Sequence, residues 1–186
     1  MRKPQKGFSL LEMSVVIAII GLAAGSIFVV QSLIRASHLN RIMSDYDTYI
    51  KAIVEFQDKF LAYPGDMNNA TTMWGTDPAG CPPPVTSTVR KIATCNGNGD
   101  GKIGNSTNAG ILSGQREWFR AWQHLGNSGF ISGQYTGLHG EGGASEVVPG
   151  LNSPIASIEE AGWTLHYLLV TTGNAGLWND RYGHVM

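Results

Sequence analysis

Glu12 is the only acidic side chain in residues 1–34, and it stands at the head of an apolar run that reaches Ile34. Arg2, Lys3 and Lys6 precede it, and no side chain from Met13 to Ile34 is charged. A lone carboxylate in such a run is costly in hydrocarbon unless an opposite charge meets it. In a low-dielectric helix bundle that pairing is strong, because each partner alone is poorly solvated. The chemistry on offer is electrostatic selection of a cationic partner. Catalytic chemistry has no comparable constellation. His38, His124, His139, His166 and His184 are scattered, with no Cys, Ser or carboxylate at motif spacing. There is no Gly-x-Ser-x-Gly elbow and no Walker loop. Each His reads as a surface or core residue, and the chain is expected not to be an enzyme.

A second set of donors lies at alternate residues of Asn96-Gly97-Asn98-Gly99-Asp100-Gly101-Lys102-Ile103. Oxygen ligands at Asn96, Asn98 and Asp100 resemble the first half of a calcium loop of the EF-hand or dockerin type. Gly101 stands at the sharp turn, the Lys102 carbonyl is the next ligand, and Ile103 packs inward. The likeness then lapses. The twelfth loop position is Thr107 where a bidentate Glu is needed, and the first is Asn where Asp is usual. One carboxylate implies weak binding, in the range suited to extracellular Ca2+, with Glu117 or Asp66 available to complete the shell. The competing reading is a Gly/Asn turn with no ion, since those residues dominate turns.

These groups must be positioned by a chain of 186 residues with net charge −1. The basic leader carries three of the 13 Lys and Arg, leaving 10 against 14 acidic side chains beyond it. No basic stripe exists outside the leader, so nucleic acid is not an expected partner. Residues 1–7 are basic and should stay cytoplasmic, which sends everything after the apolar run across the membrane. Cys81 and Cys95, the only two cysteines, then lie in an oxidising compartment and are expected to form a disulfide. Closing that loop contributes about 3 kcal/mol on the chain-entropy model.

Residues 8–34 suit a membrane-spanning helix, since a helix of that length rises about as far as a bilayer core of roughly 30 Å. Gly21 and Gly25 within it form a Gly-x-x-x-Gly pair, which lets helices approach closely or marks a flexible point. The pattern does not stop at Ile34. Leu39, Ile42, Met43, Tyr46, Ile50, Ile53, Phe56 and Phe60 recur at helical spacing, with Arg35, Arg41, Asp45, Lys51, Asp58 and Lys59 between them. Residues 35–61 are read as an amphipathic continuation whose one apolar stripe faces a packed domain. Tyr63-Pro64-Gly65-Asp66 ends it. One helix from Phe8 to Leu61 would run roughly 80 Å.

Residues 62–186 form the head, loop-rich because Gly is abundant after residue 95. Residues 114–126 read as a helix with Ser113 as N-cap, Gly126 as stop, and Trp118, Phe119, Trp122 and Leu125 as a core face. Residues 133–150 read as a long surface loop. Ser157-Ile158-Glu159-Glu160 is a possible capping box, limited by Gly162 to about one turn. Trp163 to Thr171 is the clearest strand, apolar on both parities and hence central against the helix. Arg181 to Met186 ends in what suits a further strand. The fold class expected is α+β, a long N-terminal helix on a small sheet.

Lys6-Gly7-Phe8-Ser9-Leu10-Leu11-Glu12 resembles the processing site of type IV pilins and of the pseudopilins of type II secretion. The resemblance implies that a prepilin peptidase cuts between Gly7 and Phe8 and methylates the new amino terminus. Glu12 then falls at the fifth mature position, where the family's Glu faces the amino-terminal ammonium of a neighbouring subunit. It further implies a structural subunit that polymerises with copies of itself and other pilin-like chains on an inner-membrane assembly platform. The helix would sit in the inner membrane with a periplasmic or extracellular head, and the likeness spans pilus, secretion and uptake machines alike. Calcium-bearing heads known among pseudopilins favour Ca2+ by analogy. A secretory signal peptide is the poorer reading, because its apolar region runs about 7–15 residues and carries no Glu. A plain single-pass anchor explains the hydrophobicity but not Glu12 or the Gly7-Phe8 junction. The competing function is a non-polymerising, membrane-anchored module that binds calcium or polysaccharide.

Overall fold

The structure, a computed structural model, describes residues 7–81, 88–104, 117–143, 146–157, 161–167 and 184–185. Its elements are α1 (Leu10–Phe60), α2 (Ala70–Trp74), α3 (Glu117–Ser128), β1 (His166–Tyr167) and β2 (His184–Val185). The chain divides into two units, Met1–Arg41 and Ile42–Met186, with the boundary inside α1.

The first unit is helical from Leu10 on. The segment is rich in β-branched Val and Ile, which are weaker helix formers, yet it is helical throughout and neither Gly21 nor Gly25 breaks it. The side chains described there are exposed. Nothing lies within 4 Å of where a Cβ at Gly21 or Gly25 would sit, so both glycines leave an open notch. α1 is long and apolar enough to cross a membrane.

In the second unit the apolar residues of α1 separate into two stripes, which corrects the single stripe expected. Ala52, Ile53 and Phe56 are buried, with Tyr49 and Phe60 packed against them. Met43, Tyr46, Ile50 and Val54 are exposed. Tyr46, Ile50 and Val54 each follow an inward-facing residue by one position, about 100° around the helix. Both stripes recur at spacings of three and four, so periodicity merges them; only the docked domain tells them apart. α1 ends at Phe60, and the next residue, Leu61, has a left-handed φ of 54° and donates its N–H to the Gln57 carbonyl at 2.8 Å. The turn then passes through buried Pro64, Gly65 and Asp66.

The core is aromatic. Phe56 is fully buried, its ring centroid 4.5 Å from Phe60 and 6.3 Å from each of Trp74, His124 and Phe130. Tyr49 makes edge contacts with Trp122 at 5.1 Å and Trp163 at 5.5 Å. α3 supplies Phe119, Trp122 and Leu125 as expected, but also buries Arg120, Gln123 and His124. Its expected start at Ser113 lies outside the described residues, and Gly126 does not stop it. The helix continues to Ser128 and closes at Gly129, which has a φ of 79°. Gly126 serves close approach instead: a Cβ there would lie 2.6 Å from the Gly133 carbonyl oxygen.

The segment read as a surface loop is partly core. Tyr135, Thr136, Leu138 and His139 are buried, and Thr136 donates its N–H to the Leu151 carbonyl at 3.0 Å. Alternating small and polar residues hid this, because the anchors Tyr135 and Leu138 are few. Cys81 and Cys95 form the expected disulfide, with Cα atoms 5.6 Å apart. Among the described residues the regular β-pairing is the antiparallel β1–β2 pair, with His166 opposite Val185 and Tyr167 opposite His184. Most of the strand expected from Trp163 to Thr171 is not regular strand or lies outside the described residues, and residues 158–160 of the expected capping box lie outside them too.

Candidate processing, assembly and cation sites

Gly7, Phe8 and Ser9 precede α1 in non-helical backbone, so the Gly7–Phe8 bond lies outside the helix. Phe8 is exposed, and a Cβ at Gly7 would meet nothing within 4 Å. An unwound, unobstructed glycine is what a peptidase needs to bring its own groups to the bond. The helix starts where it does because of a pair that the sequence reading passed over. The Ser9 N–H donates to Glu12 Oε2 at 2.7 Å, and the Glu12 N–H donates to Ser9 Oγ at 3.2 Å. This reciprocal capping box satisfies two otherwise unpaired amides at the first turn. Its signal was legible as Ser-x-x-Glu ahead of an apolar run.

Residues 2–28 match the family model described as the prokaryotic N-terminal methylation motif. The chain carries that methylation motif. It is the signature of type IV pilins and pseudopilins. The motif takes in Gly7, Phe8, Ser9 and Glu12 and most of the apolar run. No curated protein and no solved structure matches the chain.

The loop at residues 96–104 is organised by two acids from elsewhere in the head. Asp66 Oδ1 accepts from the Gly99 and Asp100 amides at 2.7 and 3.0 Å, and Oδ2 accepts from Gly101 at 2.9 Å. Glu117 Oε1 accepts from Asn98 and Oε2 from Gly104, each at 3.0 Å. Within the loop, Asn98 Oδ1 and Asp100 Oδ1 each accept the amide two residues on, that of Asp100 and of Lys102. Asn96 is directed elsewhere: its Oδ1 accepts from the Thr71 amide of α2 at 2.9 Å. Thr107 lies outside the described residues. Gly65 and Gly97 allow the close packing. A Cβ on Gly65, whose φ is 87°, would lie 2.2 Å from the Glu117 carbonyl, and one on Gly97 would lie 2.3 Å from the Gly65 carbonyl.

The outcome is a carboxylate cluster. Asp66, Asp100 and Glu117 each offer an oxygen, all within 4.8 Å of one another, with Asp66 and Glu117 buried and Asp100 exposed. Burial pushes the Glu117 carboxyl up to about 7, beyond what the Gly104 and Asn98 amides offset, and the charges of Asp66 and Asp100 push the same way. Burial likewise raises Asp66 against its three amides. Hard oxygen donors with an exposed member suit a calcium-type cation, whose charge would relieve both the burial and the like-charge repulsion.

Burial holds His124 neutral as well, with the pKa moved in the opposite direction. Gly65 donates its N–H to His124 Nδ1 at 3.0 Å, and Thr94 Oγ1 lies 3.2 Å from Nε2. Burial, then the Arg120 charge, lowers its pKa to about 3. An unfolded His takes a proton below about pH 6.5 that the folded one refuses, so stability falls as pH falls. Glu117 runs the other way, because its raised pKa favours the folded state at low pH and that gain is lost as pH rises through about 7. Glu117→Gln should leave the His124 trend uncovered: a loss of about 1 kcal/mol between pH 6.5 and 5.5. Denaturant titrations of that variant at the two pH values measure it, and equal stabilities would mean His124 is not held neutral.

Proposed function

We propose that the chain is a prepilin-like structural subunit whose work is polymerisation. A prepilin peptidase cuts between Gly7 and Phe8 and methylates Phe8. The freed chain then enters a type IV pilus or a type II secretion pseudopilus, together with copies of itself and other pilin-like subunits, on an inner-membrane platform. Residues 1–7 face the cytoplasm, residues 8–34 cross the membrane, and residues 35–61 carry the head, 62–186, in the periplasm or beyond. The head is α+β, with the β1–β2 pair part of a small sheet. The observation that carries this reading is the methylation motif at residues 2–28, with an unwound Gly7–Phe8 junction in front of a capped apolar helix. The exposed stripe at Met43, Tyr46, Ile50 and Val54 supports it, since a helix facing only its own head has no use for a second apolar face.

Mass spectrometry of the amino-terminal peptide tests the proposal. The expected mature chain begins at N-methylated Phe8, and Gly7→Leu should keep the leader attached. A wild-type chain that retains Met1, or a Gly7→Leu chain cut at the normal rate, overturns it.

The acid cluster adds a proposal about the head: it holds Ca2+ through Asp66, Asp100 and Glu117, helped by Asn98 and the Lys102 carbonyl. Binding only to the folded state would stabilise the head by about 2.7 kcal/mol when free calcium is a hundredfold above the dissociation constant. Millimolar calcium should raise the melting temperature of the full chain in detergent, and Asp100→Ala should abolish the rise. Magnesium should substitute poorly, being smaller and stricter about octahedral geometry. Identical melting in calcium and in chelator would leave the loop a Gly/Asn turn.

A further inference from the structure

The cap of α1 fixes the side chain of Glu12 as well as the start of a helix. Ser9 Oγ holds the Glu12 amide at 3.2 Å, and the Ser9 amide holds Oε2 at 2.7 Å. The Ser9 carbonyl accepts from Met13 at 3.2 Å, closing the first turn. Oε1 accepts no hydrogen bond from the described residues, and Glu12 is exposed. One oxygen is tied back and the other is presented.

We infer that Ser9 is a positioning residue for Glu12, keeping its carboxylate ordered to receive the cationic amino terminus of a second copy of this chain. The inference rests on the polymerisation reading. An unrestrained Glu side chain samples many rotamers, and ordering it would oppose pairing at the moment of assembly. The capping box does that ordering beforehand. It need not break when the neighbour arrives, because an ionised carboxylate accepts at both oxygens and an ammonium donor makes the stronger, charge-assisted bond.

The test uses the full chain in cells that assemble it, with two readouts: the mass of the mature amino-terminal peptide and the yield of sedimentable filaments. Ser9→Ala should be cut and methylated normally while filament yield falls roughly three- to tenfold. Ser9→Thr, which keeps the hydroxyl, should restore the yield. Ser9→Gly separates positioning from helix initiation, because Gly begins a helix nearly as well as Ser but has no oxygen to hold the Glu12 amide; its yield should fall with that of Ser9→Ala. Wild-type yield from Ser9→Ala or from Ser9→Gly overturns the inference, as does failure of Ser9→Thr to restore it. A wild-type chain that is not cut, or forms no filaments, overturns the polymerisation reading itself.

Discussion

Glu12→Ala is expected to enter the membrane, lose its leader at the normal rate and then fail to assemble, with filament yield lower by at least about tenfold. The motif places this carboxylate near the terminus that the proposed cut would free, and among residues 1–34 no other side chain can answer a positive charge. Removing one member of an ion pair in a low-dielectric bundle is worse than lacking both, since the neighbour's ammonium is left desolvated and alone. Ser9 would still cap the helix through its hydroxyl, so the helix itself should survive. Glu12→Gln sharpens the point. Its amide oxygen can take the Ser9 hydrogen bond but carries no charge, so it should assemble as poorly as Glu12→Ala. Quantifying mature subunit in filaments against subunit retained in membranes measures both variants. Normal filament yield from either would remove the charge from the assembly step.

Phe56→Ala should be the most damaging single substitution in the core that α1 shares with the head, at about 3–5 kcal/mol. Its ring is fully buried among Phe60, Trp74, His124 and Phe130, contributed by α1, α2, α3 and the turn after α3. Domains of this kind hold only about 5–15 kcal/mol in total, so the variant should melt far earlier or fail to accumulate. Met43→Ala is the matched control on the same helix. Met43 is exposed, and its loss should change stability by no more than about 0.5 kcal/mol. Under the polymerisation proposal it should nevertheless lower filament yield. Denaturant titration of both variants separates the two stripes; equal destabilisation would show that the exposed stripe packs on the head.

How much was legible follows from how local each feature is. The basic leader, the Gly7-Phe8 junction, Glu12 and the long apolar helix are contiguous patterns, and each expresses a demand made within a few residues. The Ser9–Glu12 box is equally local and was readable from Ser-x-x-Glu. The pairing of Cys81 with Cys95 followed from there being two cysteines. Residues that act across the chain were not readable in the same way. Asp66 and Glu117 were possible partners for the 96–103 loop, but nothing in their own surroundings marks them. It is the fold that aims five backbone amides at their carboxylates and turns Asn96 toward α2. The two stripes of α1 share one periodicity, so only a domain docked on one of them could assign burial to Phe56 and exposure to Ile50. Gly126 looked like a helix stop because glycine often is one; the approach of the Gly133 carbonyl makes it a contact instead. The sequence by itself determined where the methylation motif lies and where the helix is capped and apolar, because hydrogen bonding and hydrophobic transfer act there on neighbours. Tertiary structure alone decided which apolar face is core and which acids converge, because those depend on residues far apart in sequence meeting in space.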